Sequence, residues 1–392
     1  MAKTGHLAYS VLRFLPLLFS TGGTLLLAVS LQAQGFGEYS AALAMTQVIS
    51  AVGLLGQDQL ILQGRLSLGI ALARGGLVVL LTGAASVTLG LLTLPEGQGE
   101  LVFAVVATSS LIQLCSVPFA FLLRARASST RANSELAVRL TYQVGLNAAG
   151  SALGTARSAA FGGTIGAVIG VFLVGGYFTH FWRKNNSERD VTVTSAPWRQ
   201  GVLFGIDSIL YSTGVAIPII IIAATASNIV NAQVRVVFLC YTAIVGVSRA
   251  FNGELFRARL YAADDAEQRR SIWLQLRLVL LRYGAVVAVG VGAAGLLLPV
   301  VMGAEYEQAR WAVLVLALGV LFQFFGFGLT TLAVTNGGIK RSIVRLSLTL
   351  ALSVLVSSTL PLGPIELALL LVANDMITCL FFSLYKRTRH EG

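Results

Sequence analysis

The sequence predicts an all-α, polytopic membrane protein of about twelve transmembrane helices, arranged as two six-helix bundles. Three observations predict it. Of its 392 residues, 56% are hydrophobic and only 11% charged, against about 25% charged in an ordinary soluble domain. Twelve apolar runs are long enough to cross a hydrocarbon core, which takes about 20 residues of helix. The connections between them alternate in charge sign, as the excess of Lys and Arg on cytoplasmic loops requires. The period-two alternation of a membrane barrel is absent, and a helix is the other structure that satisfies every backbone group in lipid.

In order, the runs are Leu7–Leu31, Tyr39–Gln63, Gly69–Leu94, Leu101–Leu123, Ser134–Leu153, Ala159–Trp182, Gly201–Ala223, Ile229–Arg249, Leu278–Val301, Ala309–Val334, Ile343–Leu360 and Ile365–Tyr385. Met1 to His6 followed by an apolar run has the look of a signal peptide. The run is too long and eleven more follow, so it reads as an uncleaved first helix. With the N-terminus inside, one set of connections carries Arg65, then Arg124, Arg126 and Arg131, then Arg183, Lys184, Arg189 and Arg199. The same set continues with Arg257, Arg259, Arg269 and Arg270, then Lys340 and Arg341, and ends on Lys386, Arg387 and Arg389. The opposite set carries Glu38, Glu96, Glu100, Glu305 and Glu307, with Arg157 and Arg310 beside them. Both termini are therefore expected in the cytoplasm. The net charge of +11 is accounted for by this bias, and no nucleic-acid partner is implied.

The two longest connections, Arg183–Gln200 and Phe256–Arg277, both fall on the basic side. The first divides the chain into an N-terminal bundle (1–182), a cytoplasmic linker (183–200), a C-terminal bundle (201–385) and a tail (386–392). In the second, Asp264 and Asp265 precede Ala266–Trp273, which reads as an N-capped amphipathic helix lying along the inner surface; a solvated linker is the alternative.

Several function classes are excluded. Cys115, Cys240 and Cys379 lie inside apolar runs, so neither a disulfide framework nor a thiolate metal cluster is suggested. His6 and His390 are terminal, His180 is at a helix end, and P-loop and zinc motifs are absent. The chain reads as a non-enzyme without cofactor or metal. The glycine pairs Gly162-Gly163 and Gly175-Gly176 read as helix-packing positions.

The informative residues are polar ones inside the runs, because a charge at the bilayer centre is costly and is usually turned toward a partner or a wet cavity. In the eighth run Asn228, Asn231, Arg235, Thr242 and Arg249 recur at steps of three, four and seven, which puts them in one stripe. The first run carries Tyr9, Arg13, Pro16, Ser20 and Thr24 on one face. Gln47, Ser50, Gln57 and Asp58 cluster on one side of the second, and Asp207, Tyr211, Gly214 and Pro218 do so in the seventh. Arg13 and Asp207 are close enough to an inner end to snorkel instead, and Arg235 is similarly near the outer end, although its stripe continues inward. Asp58 could equally pair with Arg13 or Arg65, and Asp375 beside Asn374 reads first as a helix–helix hydrogen bond. Arg74, Arg139 and Arg282 read as rim anchors. Pro16 with Gly22-Gly23, and Gly214 with Pro218, give the first helix of each half a place to bend.

Two short motifs add a family likeness. Phe36-Gly37-Glu38-Tyr39-Ser40 resembles the Phe-Gly-x-Tyr turn of polysaccharide flippases in the multidrug/oligosaccharidyl-lipid/polysaccharide exporter superfamily. Gly303-Ala304-Glu305-Tyr306, with Ala309 and Leu314 through Leu318-Gly319, resembles that family's Gly-x-Glu-Tyr turn and Leu-rich helix; Pro118 and Arg124-Ala125-Arg126 also fit. The turn Thr225–Asn228 departs from the pattern, lacking an aromatic-glycine pair.

The resemblance implies two bundles around a central cavity lined by helices 1, 2, 7 and 8. It implies translocation of a polyprenyl-diphosphate-linked oligosaccharide across a bacterial cytoplasmic membrane, for surface polysaccharide export. By position in those helices, Arg13 and Arg235 would hold the diphosphate, with Arg249 at the inner mouth and Asn231, Gln57 and Tyr211 as further substrate contacts. Asp58, Asp207 and Asp375 are the coupling or ion-pair candidates. The expected partners are the lipid-linked glycan, membrane lipids, a coupling H+ or Na+, and glycan assembly proteins. A cation-coupled drug exporter of the same superfamily is the nearest alternative, and would favour acidic cavity residues. A major-facilitator porter would carry a glycine-acidic-arginine motif where the sequence reads Gly64-Arg65-Leu66-Ser67-Leu68-Gly69. A membrane-embedded glycan polymerase or glycosyltransferase would carry a sizeable external loop, and a structural protein that has lost transport is the remaining reading.

Overall fold

A computed structural model describes residues 2–62, 65–125, 127–184, 198–252, 266–335 and 339–388. No strand occurs among them, and each of the twelve apolar runs is helical over most of its length. The protein is an all-α polytopic membrane protein. Among the described residues seven helices are long and apolar enough by themselves to cross a bilayer, and Ser212–Thr225 and Ile343–Thr359 are shorter apolar segments. Many large apolar side chains point outward, among them Leu80, Leu92, Phe172, Val286, Val289 and Leu318. That inverts the soluble pattern and suits acyl chains as solvent.

The helices are α1 (Ala2–Met45), α2 (Gln47–Val52), α3 (Gln57–Leu62), α4 (Leu68–Thr93), α5 (Gly99–Leu114), α6 (Ser116–Arg124), α7 (Ser128–Leu153) and α8 (Ala156–Lys184). They continue as α9 (Trp198–Thr225), α10 (Asn228–Asn252), α11 (Ala266–Met302), α12 (Glu307–Thr335), α13 (Ile339–Thr359) and α14 (Pro364–Thr388). A 3-10 turn, Ala304–Tyr306, links α11 to α12.

Three features depart from the sequence expectation. The first two runs meet not at Phe36–Ser40 but at Gln32, whose φ of 56° and ψ of 175° break α1. Residues 33–45 are already helical. Phe36 and Tyr39 are buried there, and Gly37 serves close approach, because a Cβ on it would collide with the Asn228 backbone carbonyl. The second run is not one helix: α2 and α3 are separated by Gly53–Gly56, with positive φ at Gly53, Leu55 and Gly56. The stretch Ala266–Trp273 is not a separate surface helix. It is continuous with the ninth span in α11, since no Gly or Pro interrupts the sequence between Ala266 and Gly284. Asp264 and Asp265 lie outside the described residues.

The chain forms two compact units: Met1–Ala216 with Ala223–Asn228, and Ile217–Ile222 with Ile229–Gly392. In the first, α7 and α8 pack backbone to backbone. A Cβ on Gly162 would lie 2.5 Å from the Ala149 Cβ and closer still to the Gly145 carbonyl; on Gly170 it would lie 2.8 Å from the Val138 Cα. Only glycine allows that separation. At Gly175 and Gly176 a Cβ would meet nothing within 4 Å, so this pair is not a packing position. Polar bridges tie the neighbours: Gln143 Nε2 donates to Ser20 O (3.2 Å) and Thr24 Oγ1 (3.3 Å), and the Tyr39 and Tyr142 hydroxyls pair at 2.7 Å. At one end, Leu54, Leu60, Val117, Phe121 and Phe178 make an apolar core, with Trp182 stacked on Phe178 at 5.5 Å. The Arg74 guanidinium lies 5.2 Å from the Trp198 ring centroid. At the opposite face Arg157 bonds the Gly97 carbonyl (2.6 Å) and pairs with Glu100 at 3.7 Å.

In the second unit the turn between α11 and α12 is built as its sequence suggests. Gly303 has φ 110°, a conformation that favours glycine, and Tyr306 is fully buried behind it. The Gln233 side chain of α10 donates to the Glu305 carbonyl, and Arg310 pairs with Glu307. Trp273 near the start of α11 seats on Gly328 of α12, where a Cβ would come within 2.8 Å of the indole.

Candidate functional site

The side chains of Arg13, Asp207, Tyr211 and Arg249 lie outside the described ones; their backbones belong to α1, α9, α9 and α10. The remaining candidates fall in three places. Gln57 and Asp58 sit together at the start of α3, in the first unit, where Gln57 is fully buried and Asp58 half-buried. Asn231 and Arg235 share a face of α10 in the second unit, one helical turn apart. Asp375 belongs to a separate seam of that unit.

α10 is an apolar helix, and the placement of Arg235 is set by its own sequence. Asn231 is buried and Arg235 half-buried, and the guanidinium lies 5.7 Å from the ring centroid of Phe238, three residues on. That cation–π contact keeps the charge beside a polarisable face. Thr242, further along the stripe, turns its hydroxyl back onto the Leu239 carbonyl at 3.0 Å.

The seam around Asp375 includes a cation the sequence reading did not single out. Arg345 of α13 is buried and donates from Nη1 to Thr378 Oγ1 of α14 at 2.6 Å, one turn from Asp375 along α14. With its amide nitrogen turned to the carboxylate, Gln323 of α12 donates to both Asp375 oxygens, and Asn374 reaches Ser353 at 3.4 Å. A signal existed: Arg345, Thr349, Ser353 and Ser357 recur every four residues, and all four are buried. Asp375 thus occupies a helix–helix network of charge and amide. Among the described residues no group of three or more His, Cys, Asp or Glu side chains converges as a metal site would require.

Similar structures are known. A lipid II flippase, MurJ, in an inward closed conformation, superposes with a TM-score of 0.70 at 12% identity, over 97% of this chain and 87% of its own. An inward-facing multidrug resistance MATE transporter of the MOP superfamily gives 0.66 at 15%, over 97% and 98%. The chain carries their fold. A further MOP superfamily transporter, from Pyrococcus furiosus, gives 0.52 at 17%, over 98% and 91%. No known family profile and no curated protein matches the chain in sequence. The Gly53–Gly56 break of the first unit and the α10 stripe of the second stand in helices that the sequence had singled out for polar faces.

Proposed function

We propose that the protein translocates a polyprenyl-diphosphate-linked oligosaccharide across a bacterial cytoplasmic membrane by alternating access, for export of a surface glycan. The halves 1–182 and 201–385, with both termini cytoplasmic, rock about a shared polar interior. Arg13 and Arg235 bind the diphosphate, Arg249 meets it at the inner mouth, and the lipid tail stays in the bilayer. The observation that carries this reading is Arg235: a half-buried guanidinium inside an apolar transmembrane helix, one turn from a buried Asn231. A cation within an apolar span is usually turned toward a partner or a wet cavity, and guanidinium matches phosphate oxygens bidentately without losing charge. Flipping needs no hydrolysis, so no catalytic group is required. The membrane potential, or H+ or Na+ acting through Asp58 or Asp207, supplies the driving force.

The test is Arg235→Ala in the native host. Export of the lipid-linked glycan stops at normal protein level, and the intermediate accumulates on the inner leaflet. Unchanged surface glycan would remove Arg235 from the mechanism. The near-complete mutual coverage with the multidrug transporter favours a second reading, cation-coupled export of small molecules. It predicts drug sensitivity on deletion with the surface glycan intact.

A further inference from the structure

Helix 2 loses its regular backbone in mid-course. Between Val52 and Gln57 the chain takes φ of 56° at Gly53, 51° at Leu55 and 72° at Gly56. Leu55 has no conformational reason to be left-handed, so the surroundings hold it there. Irregular backbone at bilayer depth persists where it is enclosed by protein or lines a polar space. The residue that follows is Gln57, 0% exposed. Neither its Nε2 nor its Oε1 has a hydrogen-bond partner among the described residues. Its neighbours along α3, Leu60 and Ile61, belong to the apolar core and offer nothing polar. A second amide faces the same break from α5: Gln113 Nε2 lies 3.7 Å from where a Cβ on Gly53 would stand.

An amide that has surrendered its water at both ends is strongly disfavoured, and folded proteins keep few such groups without a ligand or ordered water to bond them. We infer that the break at Gly53–Gly56, with Gln57 and Gln113, is a binding site for one neutral hydroxyl group, supplied either by a bound water or by a sugar of the transported lipid. A primary amide presents an acceptor and two donors, the complement of a hydroxyl's donor and two lone pairs. It carries no charge, so the diphosphate is held elsewhere, by guanidinium groups, and this site reads the uncharged part of the cargo. Only the sugar source rests on the flippase reading.

The experiment compares the purified protein with Gln57→Leu and Gln57→Met in lipid nanodiscs, melting each by tryptophan fluorescence. Each is melted alone, with undecaprenyl diphosphate, and with the same lipid carrying N-acetylglucosamine. A water-filled site makes both variants melt several degrees below the wild type without lipid, and both lipids then shift all three proteins alike. A sugar-filled site makes the glycosylated lipid raise the wild type more than the variants, while the sugar-free lipid shifts all three equally. Variants that melt at or above the wild type and respond identically to both lipids overturn the inference. If neither lipid shifts the wild type, the flippase reading fails, and the lipid-free comparison alone decides the site. Gln57→Met, unbranched and adaptable, stands in if Gln57→Leu does not fold.

Discussion

The tightest interface in the first unit gives the most quantitative prediction. Gly162→Ala places a methyl group 2.5 Å from the Ala149 Cβ and nearer still to the Gly145 carbonyl. Ordinary carbon contact begins near 3.4 Å, so α7 and α8 must separate by about 1 Å or rotate. Neither neighbour is the far end of a flexible side chain, which puts the cost at the upper end of overpacking, about 3 kcal/mol. For a unit of this size that is a fall in Tm of about 6–12 °C. Gly175→Ala in the same helix is the control. Its methyl meets nothing within 4 Å, and alanine's better helix propensity, worth up to about 1 kcal/mol, leaves Tm unchanged or slightly raised. The assay is thermal melting of both variants in one detergent, followed by tryptophan fluorescence. A Gly162→Ala protein that melts with the wild type would refute the close-packed α7–α8 interface.

Three further outcomes are expected. Gly53→Ala costs about 1–3 kcal/mol in Tm-derived stability although the nearest atom is 3.7 Å away, because its φ of 56° and ψ of −128° suit glycine alone; a neutral result would show that the break is not held. Arg345→Leu removes the buried donor to Thr378 Oγ1 and destabilises the protein by about 1–3 kcal/mol; an unchanged Tm in the same melting assay would show that this contact carries no stability. Glu100→Gln breaks an exposed 3.7 Å pair with Arg157 and changes stability by less than about 1 kcal/mol, checked in the same melting assay.

Much of the fold could be read from sequence because the bilayer imposes a coarse rule: about 20 apolar residues make a span, and every run found that way is helical. What escaped depends on backbone detail. Tyr39–Gln63 is long enough for one span, which concealed a break that the Gly53-Leu54-Leu55-Gly56 pairing and the polar Gln57-Asp58-Gln59 after it announce. Gly37 has the composition of a turn, yet it is a contact glycine inside a helix, and the helix breaks at Gln32, whose side chain gives no hint of positive φ. Arg345 heads a four-residue repeat of buried polar residues that the sequence contains, but its partner Thr378 on α14 is not part of any single-helix pattern. The α10 stripe was visible because it lies along one helix, whereas what Arg235 leans on, Phe238, is a matter of rotamer.

In the membrane-spanning stretch of α11 only 11% of residues are buried against protein, and Val286, Val289, Leu296, Leu297, Val300 and Val301 project outward. Acyl chains are therefore the principal neighbours of this helix, and its tilt follows hydrocarbon thickness more closely than that of better-enclosed helices. Membrane composition thereby becomes a control variable for this protein, and a thinner or thicker bilayer acts first through α11.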